Sequence, residues 1–249
     1  MTAEQQLRHY AERYFLRLSD FIDQAGLSGT AISELIAAGA LPGPIYSIWP
    51  NGAFYSPIGG AHGPEPMGNA DDYYAPAAIW WARRASLLDG PAENIARKFR
   101  DIFVSEFVDA LRQEKLGVHG YPSAYDGQRF NPGNAIVAAE AEWADWISGG
   151  YGVCLRYWDA PHAITKACQR GLIVSLTDEG RALSLSSETL DHVLVAMQKL
   201  EAVMLPFAPH QRPHGTPGLW IDRLLLIYGI GQEARAAGSE ITAAERYCA

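Results

Sequence analysis

The chain has 249 residues, 48% of them hydrophobic and 19% charged, with a formal net charge of -8 and a pI near 5.3. That balance fits a packed globular protein and excludes overall disorder. Twenty scattered Lys and Arg residues in a net acidic chain make no basic stripe for phosphates or anionic membrane.

The opening segment, MTAEQQLRHYAERY, is polar and amphipathic and lacks an apolar export core, and no uninterrupted apolar run approaches the roughly 18 residues of a spanning helix. A cytoplasmic location is therefore expected. Ser19 is expected to cap a helix that Gly26 ends, and Ser28 a second helix carrying Ile32, Leu35 and Ile36 to Gly39. Ile45 to Trp49 and Ala53 to Ser56 alternate around Pro50-Asn51-Gly52, which reads as a hairpin with a two-residue Asn-Gly turn. Helix, helix and hairpin together predict a winged-helix-like lobe over residues 1–58, followed by a helical body over 59–249 that holds a substrate pocket. The second lobe helix offers base edges only Thr30, Ser33 and the acidic Glu34, so a scaffold or homodimerisation role suits the lobe better than DNA binding.

After a Gly/Pro-rich loop, Ala77 to Leu88 reads as a helix with Ile79, Trp80 and Leu87 inward, ended by Gly90-Pro91. From Glu93 to Leu116, Ile95, Phe99, Ile102, Phe103, Phe107 and Leu111 recur at three- and four-residue steps, the mark of a core helix. Gly117 to Asn131 reads as a loop. Asn131-Pro132 opens a helix bearing Ile136, Val137, Trp143 and Trp146, and further helices are expected over 161–170, 187–204, 219–228 and 233–246. Val153 to Tyr157 and Leu172 to Leu176 look strand-like. The predicted class is mostly α with a small β-hairpin.

No Walker loop, GxGxxG after a strand, HExxH or GxSxG elbow is present, so no cofactor is expected. Cys154, Cys168 and Cys248 have no ligand spacing and read as reduced thiols, and the histidines are too dispersed for a metal site. Chemistry-bearing side chains concentrate between residues 51 and 84. His62, Glu65, Asp71 and Asp72 can move protons, Arg83 and Arg84 can hold a carboxylate, and Tyr74 and Trp80 can wall an aromatic guest. The aspartates also stand where a helix near Pro76 wants a cap, although two exceed what one cap needs. Met204 to Gly218 presents His210, Arg212 and His214 on a proline-stiffened loop, either a rigid connector or an anion site. Arg156 in YGVCLRYW calls for an ion-pair partner.

DYYAPAAIWWARRA at 72–85, YGVCLR at 151–156 and PFAPHQR at 206–212 resemble a bacterial family associated with natural-product gene clusters, over most of the chain. The chain is also similar to the stand-alone bacterial Pictet-Spenglerases, which build β-carboline alkaloids from tryptophan and a carbonyl compound without a cofactor. That resemblance implies a carboxylate base helped by a histidine and an arginine. Asp72 and His62 are the loose matches, but no arginine occurs between Gly39 and Trp80. On this reading Asp72 is the base, with Asp71 and Glu65 as substitutes. His62 relays protons, Tyr74 and Trp80 hold the indole, and Arg84, Arg83 or Arg212, with His210 nearby, anchors the carboxylate. The alternatives are a ligand-responsive winged-helix regulator and a non-catalytic partner of a biosynthetic enzyme.

Overall fold

The computed structural model describes residues 3–230. It is mostly helical with a small antiparallel sheet, in agreement with the expected class. The helix expected over 233–246 lies outside the described residues, as does Cys248. Among the described residues no helix is long and apolar enough to cross a membrane.

Helix α1 (Ala3–Tyr14) buries Leu7, Tyr10 and Ala11, a single stripe at three- and four-residue spacing. After β1 (Leu16–Arg17) come α2 (Leu18–Ala25) and α3 (Gly29–Ala37). Ser28 caps α3 as expected, its Oγ accepting from the Ala31 amide at 3.1 Å, whereas α2 begins at Leu18 with no side-chain cap and owes nothing to Ser19. Gly26 ends α2 in the left-handed region, φ 68°.

Strands β2 (Tyr46–Ile48), β3 (Phe54–Ser56), β4 (Gly60–His62) and β5 (Asp71–Tyr74) join β1 in one sheet of order β1-β5-β2-β3-β4. The β2–β3 connection differs from expectation. Gly52 at φ 85° is left-handed while Asn51 is not, and the Gly52 amide donates to Trp49 O, so the loop has three residues with a left-handed glycine closing it. The expected boundary at residue 58 falls inside this sheet, between β3 and β4. The order helix, β1, two helices, β2 and a returning β5 that pairs with both β1 and β2 gives the lobe a winged-helix-like course, with β3 and β4 enlarging the wing.

The helical body begins with α4 (Ala78–Ala85) and α5 (Ala92–Gln113). In α5, Ile95, Phe99, Phe103, Phe107 and Leu111 of the predicted stripe form one buried seam of four-residue steps, while Ile102 is half-buried beside it. In α4 the inward tryptophan is Trp81, fully buried, while Trp80 and Leu87 are exposed; only Ile79 of the expected stripe is in the core. A short turn α6 (Gly117–Gly120) and a two-stranded ribbon, β6 (Tyr125–Asp126) with β7 (Arg129–Phe130), occupy the expected loop. Helix α7 (Pro132–Ile147), capped by Asn131, faces α5 with Ala135, Ala139, Trp143 and Trp146. Ile136 and Val137 point outward, because small residues at the seam allow the two helices to approach closely.

The two strands expected at 153–157 and 172–176 are not strands. Tyr151–Val153 is a tight 3-10 turn, Leu155 makes one isolated bridge to Met204, and Leu172 to Leu176 is the last part of α8 (Ala160–Leu176). A short apolar run suits a buried helix as well as a strand, and its length as a continuation of 161–170 decides for helix. Helix α9 (Ser187–Val203) and α10 (Arg223–Ile227) pack a smaller second cluster around Ile173, Met197 and Leu224.

Helices α6 and α8 touch backbone to backbone: a Cβ on Gly171 would stand 1.9 Å from His119 O. Alanine in a helix gains about 1 kcal/mol over glycine, but forcing the two helices apart costs about 3 kcal/mol, so the clash wins. Gly171→Ala should therefore lower the melting temperature; a melting temperature at or above the parent's would show that the α6–α8 contact is looser than this.

Candidate functional site

The residues expected to form a site do not converge. Asp71, Ile48, Phe54 and His62 form one row of paired positions across four strands, so Asp71 and His62 stand roughly 14 Å apart at about 4.8 Å per strand. Asp72 belongs to the next row, with Ser47, Tyr55 and Ala61. Successive side chains alternate across a strand, so Asp72 projects from the face opposite His62. Neither aspartate caps a helix: both are strand residues, and α4 starts at Ala78 with no side-chain cap. Asp71 is held by Arg8 at 2.5 Å with Arg17 at 4.0 Å, and Asp72 accepts from the Ser47 hydroxyl at 2.5 Å.

The remaining expected residues are dispersed. Tyr74 is buried, stacked on Phe21 at 5.3 Å, and is core rather than a wall. Glu65 is exposed, and its backbone carbonyl accepts from Asn51. Arg83 donates to Gln24 O at 2.8 Å, tying α4 to α2. Arg84 lies over the exposed Trp80 ring at 4.8 Å, an arginine beside a tryptophan on one helix face as the spacing implies. Arg212 is committed to Asp222 by a two-pronged contact at 2.7 and 2.9 Å. His62 and His210 also meet, through Phe54: His62 stacks on that ring at 4.8 Å and His210 meets it edge-on at 5.4 Å. Desolvation, and then the charge of His62, pulls His210 below the usual histidine range. No group of three or more His, Cys, Asp or Glu among the described residues is arranged to hold a metal ion. The solvent face of α3 presents Thr30, Ser33, Glu34 and Ala37, which gives DNA no cation to approach.

A different set of polar groups is drawn together inside the helical body. Glu142 projects from the seam side of α7, and its Oε1 accepts from the Tyr121 hydroxyl at 2.9 Å. The Tyr151 hydroxyl lies close enough to the same carboxyl to favour its charged form. Oε2 is buried and has no partner among the described residues. Burial raises the Glu142 carboxyl above the usual glutamate range, an effect that the two tyrosine hydroxyls and the charge of Lys166 reduce but do not cancel. Lys166, from α8, covers the group: its Nζ stands 4.5 Å over the Tyr151 ring and 2.9 Å from Cys154 Sγ. Tyr151 and Lys166 are half-buried, so solvent reaches this cap.

A cleft of about 540 Å³ between α6 and α8 is lined by His119, Gly120, Pro122, Arg170 and the start of the turn at Asp178-Glu179, among others. Tyr121, Glu142, Tyr151 and Lys166 do not line it; the cleft and the acid share only the chain segments around 118–122 and along α8, with Arg170 one helical turn beyond Lys166. Arg170 is exposed and makes no ion pair among the described residues. The sequence did carry a signal for this site: Glu142 interrupts the Ala135, Ala139, Trp143, Trp146 seam with a charge where a helix packed on α5 wants none.

Residues 99–229, just over half the chain, match a family described as a family of unknown function, DUF6058. No curated protein and no solved structure matches the chain. The matched segment contains Glu142, Tyr121, Tyr151, Cys154, Lys166 and Arg170, while His62, Asp71 and Asp72 fall before it.

A glutamate whose folded pKa lies above its unfolded value binds more protons in the folded state. Its favourable contribution is then complete below the unfolded value, about pH 4, and declines as pH rises toward the folded value. Glu142→Gln should remove that decline. Denaturant titrations from pH 4 to 7 should show the variant gaining stability relative to the parent as pH rises, and a difference independent of pH would overturn the assignment.

Proposed function

Because the chain belongs to the DUF6058 family, and the matched segment holds the enclosed acid, we propose that it is a cofactor-independent acid–base enzyme acting on a small aromatic amine, with Glu142 as its proton carrier. The reaction expected from the sequence resemblance, a Pictet-Spengler condensation of tryptophan or a derivative with an aldehyde or 2-oxo acid, is the concrete form of this reading. The observation that carries it is the enclosed Glu142 carboxyl, one oxygen accepting from the Tyr121 hydroxyl and the other buried without a partner among the described residues.

The chemistry asks one group to work in both directions. Amine and carbonyl condense to an iminium with loss of water, which needs an acid to protonate the departing oxygen. The indole carbon then attacks the iminium carbon, and the ring proton must leave for aromaticity to return, which needs a base. A carboxyl that binds its proton more tightly than a free glutamate suits the first step, and the carboxylate it becomes suits the second. Tyr121 would hold Oε1 still, and a cationic intermediate would be stabilised by the carboxylate once Lys166 swings aside. Arg170, unpaired on the cleft wall, would anchor the substrate carboxylate, the role that Arg83, Arg84 and Arg212 do not fill because each is occupied elsewhere.

The test is incubation with tryptophan and a panel of aldehydes and 2-oxo acids, read by mass for the dehydrated adduct. Glu142→Gln should reduce turnover by about a hundredfold or more. Asp72→Asn, whose carboxyl is bonded to Ser47 within the sheet, should leave it within about twofold of the parent. Arg170→Ala should raise KM about tenfold with kcat little changed. A folded Glu142→Gln variant that keeps full turnover would sink the assignment, and loss of turnover in Asp72→Asn would return the base to the sheet.

A further inference from the structure

We infer that Cys154 and Lys166 are the two ends of an oxidation-formed covalent bridge, Lys–NH–O–S–Cys, that fastens α8 to the tight turn following α7. The Nζ and Sγ atoms stand 2.9 Å apart, near enough for one oxygen atom to join them without movement of the backbone. Each end is fixed independently. The Cys154 amide donates to Tyr151 O at 3.0 Å and its carbonyl accepts from the Leu205 amide at 3.0 Å. Lys166 lies in the interior of the 17-residue α8, with its ammonium steered by the Tyr151 ring at 4.5 Å. Both described thiols are buried, Cys154 at 3% and Cys168 at 0% exposure, but Cys168 has no lysine hydrogen bond among the described residues, so it makes an internal control.

The oxidant is a peroxide. One hydrogen peroxide takes the thiol sulfur to the sulfenic level and a second oxidises the amine nitrogen. Together one lysine amine, one thiol and two peroxides give the bridge and three waters. Nitrogen and sulfur each lose two electrons, each peroxide gains two, and one peroxide oxygen remains between N and S. Lys166 reacts as the free amine, and its extra proton passes to solvent or to the neighbouring Glu142. A thiol would reverse the reaction by attacking sulfur and releasing lysine.

Such a bridge would hold Lys166 over Glu142 and close the approach to Oε2; this consequence rests on the proposed function, while the bridge itself does not. The experiment is therefore read by mass. The full chain, in a Cys248→Ser background, is treated with graded hydrogen peroxide and digested with and without dithiothreitol. The expected result is a gain of about 14 Da, one oxygen added and two hydrogens lost, on a cross-linked peptide pair containing Cys154 and Lys166. It should disappear with dithiothreitol and be absent from Cys154→Ser and from Lys166→Arg. Lys166 should also resist acylation in the oxidised protein and accept it after reduction. Oxidation of Cys154 to the sulfinic or sulfonic acid with Lys166 still open to acylation, a Cys154–Cys168 disulfide, or no reaction at Cys154 would each overturn the inference. Lys166→Gln serves if the arginine variant does not fold, and turnover after bridging tests the closure separately.

Discussion

The structure depends on the ring of Trp158 being surrounded. Phe103 of α5 stacks on it at 4.9 Å, Trp146 of α7 at 5.0 Å and Tyr151 at 4.9 Å, so three segments are referred to one indole. Its carbonyl accepts from the Trp81 indole at 2.9 Å, and Trp81 in turn meets Phe99 and Trp143 edge-on. Ring pairs contribute about 0.5–1.5 kcal/mol each beyond the area they bury. The indole N–H groups of Trp146 and Trp158 have no partner, and each costs about 1–3 kcal/mol. Three stacks and one well-made hydrogen bond roughly offset those two orphans, so the stabilisation that the cluster gives comes from the apolar area it buries and the ring contacts fix orientation. What it orients is Tyr151, pressed against Trp158 on one side and facing Lys166, and through Tyr151 the carboxyl of Glu142.

A second constraint joins the lobe to the body. The proline-stiffened segment after α9 begins as a strand-like partner of the 154–156 segment, with Arg156 N donating to Val203 O and Leu205 N to Cys154 O. It then crosses the sheet, where Tyr10 donates to Pro206 O at 2.8 Å and Tyr46 to the Gln211 side chain at 2.6 Å. Desolvation raises Tyr46 well above the usual phenol range, so its hydroxyl stays a donor throughout the physiological range. Prolines keep the segment extended at little entropic cost, which is why a stretch that reads as a connector serves as a clasp.

Helix content was legible because it is written in periodicity: the α5 seam of aromatics four apart admits one reading, and the Ser28, Asn131 and Gly26 caps each do a job the local chain requires. Strands were not. Segments of two to four residues such as Leu16–Arg17 and Gly60–His62 carry no alternation to detect, and they pair only because residues distant in sequence are brought alongside. The failure at Asp71 and Asp72 follows from this. Read as residues ahead of a helix they belong to one mouth, but placed on a strand they face opposite sides of a sheet. Chemically rich composition between 51 and 84 marked a surface lobe, while the enclosed acid came from three separate segments, 121, 142–151 and 166, that no local window joins.

Two opposing influences act on Glu142, and their balance defines what the site can do. Enclosure favours the neutral acid, while two phenol hydroxyls and a nearby ammonium favour the anion; enclosure wins, since the carboxyl is shifted upward on balance. Lys166 makes no ion pair with Glu142 among the described residues. The ammonium accordingly rests against a ring face and a sulfur, partners that cost little to leave. A lysine with weak partners and a flexible stem is free to move, and one placed against a thiol is also exposed to that thiol's chemistry. The upward shift of the acid and the seat of the lysine against a ring face and a thiol both lie in the enclosure set by the aromatic packing around Trp158.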